Sequence, residues 1–186
     1  RETRPEIAAL NMGTMNYAKY SSSRKAFVFN IQFENSFEDI RFYLDTMNSA
    51  GVKPELECFD VGHVASAFPF LDMGVLSGQL NFSFILGVTG GIPASAENVS
   101  CMVRNLPAGS HWQVIGIGRE QWALSASALK IGGHVRVGFE DNFYLPTGEM
   151  GRSNGDLVAA AAKLIRELGR EVAPPQKARK ILALAS

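Results

Sequence analysis

The chain has 186 residues, and 18 Lys and Arg balance 18 Asp and Glu to a formal net charge of zero. A neutral chain lacks the basic surplus that nucleic-acid phosphates demand, so no nucleic-acid partner is expected. An apolar content of 46% excludes disorder, and no apolar run approaches the roughly 18 residues of a membrane span.

The chain opens Arg1-Glu2-Thr3-Arg4-Pro5, already reading as the middle of a fold. No apolar segment follows those charges, so no signal peptide is expected and a cytoplasmic location is. Residues 7–12 form a short apolar run ending in Gly13. Residues 16–25 (NYAKYSSSRK) read as a polar loop, and 26–30 as an aromatic-rich strand. Residues 36–50 predict a helix: Ser36 and Asp39 make a near capping box, and Phe37, Ile40, Tyr43, Leu44 and Met47 recur at helical spacing up to Gly51. A strand at 56–60 and a helix over 64–76 follow.

Residues 81–88 (NFSFILGV) read as a buried strand before Gly90-Gly91, with a helix at 94–106. A strand at 112–117, a helix at 120–130, the Gly132-Gly133 stop and a strand at 134–139 come next. Residues 155–168 form the clearest amphipathic helix, started by Asn154 and closed by Gly169. One more strand is expected at 170–172, and Pro174-Pro175 opens a last helix to about 184. Cys58 and Cys101 form no C-x-x-C pair and read as reduced thiols.

Strands alternating with helices predict βαβ units and a parallel sheet in one domain, residues 1–186. A doubly wound sheet and a (β/α)8 barrel both fit. The first strand carries no G-x-G-x-x-G, and Gly116-Ile117-Gly118 reads as tight strand-to-helix packing. A barrel of eight units takes about 250 residues, so roughly six units here would leave two missing from the N-terminal side.

Chemistry in such sheets sits at the C-terminal strand ends. Side chains alternate along a strand, so Arg136, Gly138 and Glu140 should share the inner face of residues 134–139. Charges on an inner face require a partner or a function, so they form either a structural Arg136–Glu140 pair or an active site. Glu55 and Glu57 form a second acidic cluster, in which Asp60 reads either as a site residue or as a helix cap, and His63 either as a site residue or as a locally satisfied first-turn residue. Thr14 and Asn16 follow the first strand in a Gly turn suited to a carboxylate. The three histidines, His63, His111 and His134, form no H-x-H, and no G-x-S-x-G elbow is present. An aldolase reading lacks a Schiff-base lysine at a strand end, since Lys53 precedes its strand and Lys130 lies in a helix.

The block Gly132-Gly133-His134-Val135-Arg136-Val137-Gly138-Phe139-Glu140-Asp141-Asn142, with Tyr144-Leu145-Pro146 and Gly148-Glu149, closely resembles the signature of the β-keto acid cleavage enzymes. Weaker matches run along the chain at Arg4-Pro5-Glu6, Gly13-Thr14-Met15-Asn16, residues 53–63, 86–93, 115–119 and 167–173. The resemblance implies a (β/α)8 TIM barrel lacking its first two βα units here, about strands 3 to 8. It implies zinc-dependent exchange between a β-keto acid and acetyl-CoA, giving acetoacetate and a new acyl-CoA. Glu140 is then a zinc ligand, Asp141 the base, Arg136 the electrostatic partner of the developing charge, and Glu57, Thr14 and Asn16 substrate-pocket residues. A carboxylate at Glu57 would favour an amino-bearing keto acid. Gly90-Gly91 and Gly116-Gly118 are candidate turns for coenzyme A.

The family's remaining zinc ligands are a His-x-His pair that this chain lacks. The alternative is therefore a metal-free homologue acting as a binding or oligomerisation module. A partial barrel exposes strand edges, so a homo-oligomer is expected.

Overall fold

The computed structural model describes residue 3 and residues 5–184. Arg4, part of one family match, lies outside them. Five strands form one parallel sheet in the order β1 (Ile7–Asn11), β4 (Lys53–Cys58), β5 (Asn81–Leu86), β6 (His111–Gly116) and β7 (His134–Arg136). All four pairings are parallel. Strand order follows chain order without reversal. A doubly wound sheet reverses at a switch point, so that alternative is excluded. Right-handed crossovers without reversal place every helix on one face, as in a barrel wall.

The helices cover that outer face. They are α1 (Phe37–Ala50), α2 (Val61–Ala65), α3 (Ala67–Asp72), α4 (Ala96–Arg104), α5 (Gln121–Lys130), α6 (Asn154–Glu167) and α7 (Pro175–Ile181). Leu10, Leu56, Phe82, Phe84, Leu86 and Val114 of the strands pack against Ile40, Leu44, Val64, Phe70, Val99, Met102 and Leu124 of the helices. Each such side chain contributes roughly 1.5–3 kcal/mol by burial. Ser36 caps α1, its hydroxyl accepting from the Asp39 amide and donating to the Asp39 carboxylate. Gly51 ends α1 at φ 68°, a left-handed turn natural to glycine.

Several expected elements differ. Residues 16–25 are not a loop: β2 (Met15–Ser21) pairs antiparallel with β3 (Ala26–Phe33), and the turn occupies only residues 22–25. The aromatic-rich run thus belongs to a hairpin between β1 and α1, outside the parallel sheet. No strand forms at residues 170–172, which leaves five parallel strands among the described residues. The helix expected over 64–76 divides at Ser66 into α2 and α3. Ser153, rather than Asn154, caps α6 by accepting from the Asp156 amide. β7 stops at Arg136, three residues early, and this resets the site.

Candidate active site

The inner face of the sheet is polar. Glu55 (β4), Ser83 (β5) and Gln113 (β6) share it, Ser83 standing opposite Gln113 and Glu57 in register and Glu55 one inward position before Glu57. Ser83 Oγ bonds Glu55 Oε1, and Gln113 Nε2 donates to Glu55 Oε1 at 3.0 Å and to Ser83 Oγ at 2.9 Å. Towards the N-terminal end the His111 and His134 rings lie 4.3 Å apart. Burial, with neighbouring His134, pulls His111 down to about 4.

One rung towards the C-terminal end stands the charged cluster. Arg136 Nη1 donates to Glu57 Oε1 at 3.0 Å, and Arg136 Nη2 donates to Asp141 Oδ1 at 3.4 Å. Glu57 and Asp141 are nearly buried, while the guanidinium keeps partial solvent contact. Because β7 ends at Arg136, strand alternation no longer governs the residues after it. The Asp141 and Asn142 amides both donate to Gly138 O, closing a turn. That turn buries Asp141 and leaves Glu140 exposed. The expected Arg136–Glu140 pairing on one inner face is therefore corrected: the partners of Arg136 are Glu57 and Asp141.

Burial pushes both carboxyls above their ordinary range, and Arg136 only partly opposes it. Burial also pulls on Arg136, but Asp141 and Glu57 outweigh it and hold the guanidinium charged. A single cation serves two carboxylates, with Glu55 and Glu140 adding negative charge nearby. A nearly buried carboxylate short of compensating charge, facing a fixed cation, suits proton abstraction next to an oxygen that becomes negative.

An apolar cluster of Met15, Phe59, Ile85, Val88 and Ile115 borders this rung, with Tyr17, Phe33 and Ile117 packed on it. Met15, Tyr17 and Phe33 bring the hairpin over the C-terminal strand ends. Gly90 is required there, since at φ 105° its α-carbon lies against the Asn16 backbone, where any side chain would collide.

The other candidates spread around the rim. Thr14 is exposed, and its Oγ1 accepts from the Asn35 amide at 2.8 Å. Asn16 is exposed on β2. Neither is hydrogen-bonded to the charged cluster among the described residues. Asp60 caps α2. His63 Nδ1 accepts from the Phe59 amide, and its ring packs against Gly13, a structural role. Gly116 packs on Gln121 and Gly91 on Phe59, so both turns are shaped by close packing. Sequence reasoning missed Ser83 and Gln113, single polar residues inside apolar runs. It also missed Asn11, opposite Glu57 in register, whose Oδ1 is buried without a partner among the described residues.

A model of the beta-keto acid cleavage enzyme family matches residues 1–184. The 3-keto-5-aminohexanoate cleavage enzyme of Fusobacterium nucleatum subsp. nucleatum is 40% identical over 183 residues, covering 98% of this chain and 63% of that protein. The 3,5-dioxohexanoate:acetyl-CoA acetone transferase of Paraburkholderia graminis is 30% identical over 197 residues, covering 97% and 64%. The apo structure of ObcA superposes with a TM-score of 0.80 at 18% identity, over 98% of this chain and 45% of that one, and shares the fold. The chain belongs to the β-keto acid cleavage enzyme family and spans less than two thirds of the curated relatives' length.

Proposed function

We propose that this family member supplies the catalytic wall of an enzyme converting a β-keto acid and acetyl-CoA to acetoacetate and a new acyl-CoA. The observation that carries the reading is Arg136 held between buried Glu57 and Asp141 at the C-terminal mouth of the sheet. On this reading residues 1–186 are one domain of a TIM barrel and carry five of its eight parallel strands; the first two βα units lie outside this chain, and residues 170–172 stand in the place of the remaining strand without forming one. Two grooves support it. One of about 890 Å³ runs between α1 and β1, lined by Ala8, Phe42 and Met47. The other, about 850 Å³, lies along α6 beside residues 145–152. Both flank the ends of the partial wall.

The carbon between the two carbonyls of a β-keto acid is acidic, because its carbanion delocalises onto oxygen. Asp141 takes that proton, and Arg136 stabilises the enolate oxygen. Glu57 anchors the guanidinium, and Thr14 and Asn16 stand at the rim to meet the substrate. The carbanion attacks the acetyl-CoA carbonyl, forming a C–C bond and releasing the coenzyme A thiolate. The thiolate then attacks the original keto carbonyl. The older C–C bond breaks, giving the new acyl-CoA and an acetoacetate enolate that Asp141 reprotonates. Since Arg136 engages Glu57 directly, selectivity for an amino-bearing substrate rests on whatever negative charge this pair leaves unbalanced.

Zinc does not fit the residues of this chain alone. No three His, Cys, Asp or Glu side chains among the described residues converge on a metal position. His63 is engaged locally, and His111 and His134 stack at the N-terminal end. We assign zinc dependence to the longer enzyme, with Glu140 giving one ligand and a His-x-His pair the others. The coenzyme A substrate is the ground for proposing a cytoplasmic location, and the free strand edges of the sheet are the ground for proposing a homo-oligomer.

The test assays this chain, alone and fused behind the N-terminal third of the Fusobacterium relative, with zinc, acetyl-CoA and a panel of β-keto acids. Acetoacetate from the fusion, lost in Asp141→Asn, is expected. A fusion that folds and binds zinc but makes no acetoacetate overturns the reading in favour of a binding module.

A further inference from the structure

We propose that Trp122 and Arg119 are positioning residues for the base Asp141. From the start of α5 they hold Tyr144, and through it the turn that carries the Asp141 carboxylate. The inference rests on the reading of Asp141 as the base, and adds to it the side chains that fix where that base stands.

β7 stops at Arg136, so the sheet fixes the cation of the site but not its base. The Asp141 carboxylate meets Arg136 at 3.4 Å, too long a contact to set a position. The grip comes from the neighbouring βα unit. The Gly118 amide, in the short 3-10 turn that leads into α5, donates to Asp141 O at 2.8 Å. Asn142, only 2% exposed, closes on Tyr144: its Oδ1 accepts from the Tyr144 amide at 3.1 Å and its Nδ2 donates to Tyr144 O at 2.7 Å. Trp122 Nε1, in the first turn of α5, donates to that same carbonyl at 2.8 Å. Both acceptor positions of the Tyr144 carbonyl are thus used. The guanidinium carbon of Arg119 lies 3.6 Å from the centre of the Tyr144 ring, and Arg119 Nη1 donates to Gly148 O at 3.4 Å.

These contacts place the loop rather than close it. Residues 143–151 fold back on themselves without either side chain: the Leu145 amide donates to Glu149 O, and the Gly151 amide to Phe143 O. Trp122 and Arg119 instead tie that closed loop to the corner between β6 and α5. Arg119 makes no ion pair with a carboxylate among the described residues, so its guanidinium is committed to the Tyr144 ring and the Gly148 carbonyl. Tyr144 follows Asp141 by three residues, with buried Asn142 bonded to it across the turn, so a shift of Tyr144 moves the base. Cation and base then stand on different supports, Arg136 on β7 and Asp141 on the α5 corner. Proton abstraction needs hydrogen-bond reach, and a misplacement of about 1 Å costs up to about 10²-fold in rate.

The test pairs amide hydrogen exchange on the 186-residue chain with steady-state kinetics of the fused form. Trp122→Phe keeps a ring and removes the donor. Arg119→Met, at an exposed position, removes only the cation, and Arg119→Lys returns a charge to the ring face. In the chain, the Gly118 and Tyr144 amides are expected to exchange about fivefold faster in Trp122→Phe and measurably faster in Arg119→Met, with Leu56 and Phe84 of the sheet unchanged. In the fused form kcat is expected to fall about tenfold in Trp122→Phe and less in Arg119→Met, at unchanged KM, with partial recovery in Arg119→Lys. Exchange that stays the same at Gly118 and Tyr144 in both variants overturns the proposal. So does exchange that rises equally at Leu56 and Phe84, which marks a general loss of stability. A higher KM at constant kcat also overturns it, because the two side chains then bind substrate instead of placing the base. A wild-type fusion that makes no acetoacetate overturns the catalytic reading itself, and the exchange data still decide whether α5 holds the turn.

Discussion

Arg136 on β7 donates to Glu57 on β4 at 3.0 Å although β5 and β6 lie between their strands. In a flat sheet three strand spacings would hold those backbones about 14 Å apart. The contact therefore closes across the concave face of a curved wall. Curvature brings residues 79 positions apart in the chain into one cluster. The same contact gives the sheet its barrel character and the site its charge.

Arg136→Met leaves Glu57 and Asp141 facing each other without a cation. The pair is partly buried, so the expected loss at pH 7 is about 1–2 kcal/mol, between surface and buried salt bridges. The loss should shrink as the pH falls and the carboxyls take up protons. Urea midpoints at pH 7 and pH 5 check both statements. In a turnover-competent form the same change should lower kcat/KM by about 10²–10³, as for removal of a donor to a developing oxyanion.

On the proposed mechanism the raised Asp141 carboxyl sets the pH dependence of catalysis. A base must be ionised, so the acid limb of kcat/KM should lie above the ordinary aspartate value of about 3.9. Arg136 holds that limb down, so Arg136→Met should move it further up. For stability the sign is reversed from the usual carboxylate. The fold binds these protons more tightly than the unfolded chain does. The Glu57 and Asp141 contribution is therefore complete below the unfolded values and is lost as pH rises through the folded ones.

His111 acts in the other direction. Its folded value of about 4 lies below the ordinary value near 6.5, so the unfolded chain takes up the proton first. Stability from this residue is present at neutral pH and is lost as pH falls from about 6.5 to about 4. With partial solvent access to the rings, the expected loss is about 2 kcal/mol. His111→Phe should flatten that part of the stability profile in urea titrations at stepped pH.

The helices were legible because their signals are local: Ser36, Asp39 and Gly51 bound α1 within fifteen residues. The family block around Arg136 was legible for the same reason. The hairpin was not, because Asn16, Lys19 and the serines read as a loop, and only pairing with β3 makes Met15–Ser21 a strand. Glu140 was expected on the inner face from alternation that ends at Arg136; the Gly138 turn moves Asp141 inward instead. Gln113 and Ser83 lie inside apolar runs and acquire a role only when β4, β5 and β6 set them beside Glu55. Non-local pairing carries that information, and a single sequence does not display it.

The Glu55 network should be structural in its effect. Glu55→Ala leaves Ser83 and Gln113 without their shared acceptor, at a cost of about 2 kcal/mol. Glu55→Gln keeps an acceptor oxygen and should cost less than half as much. Equal losses in thermal or urea unfolding would contradict a hydrogen-bonding role.

The most direct measurement of the central claim follows an isotope label. The fused form is given acetyl-CoA carrying ¹³C in both acetyl carbons and an unlabelled β-keto acid, and the products are read by mass spectrometry and NMR. The account predicts label in carbons 3 and 4 of acetoacetate, with the new acyl-CoA unlabelled. Label in carbons 1 and 2, or in the new acyl group, would contradict it, because the carbanion would then have formed on the acetyl group rather than on the keto acid.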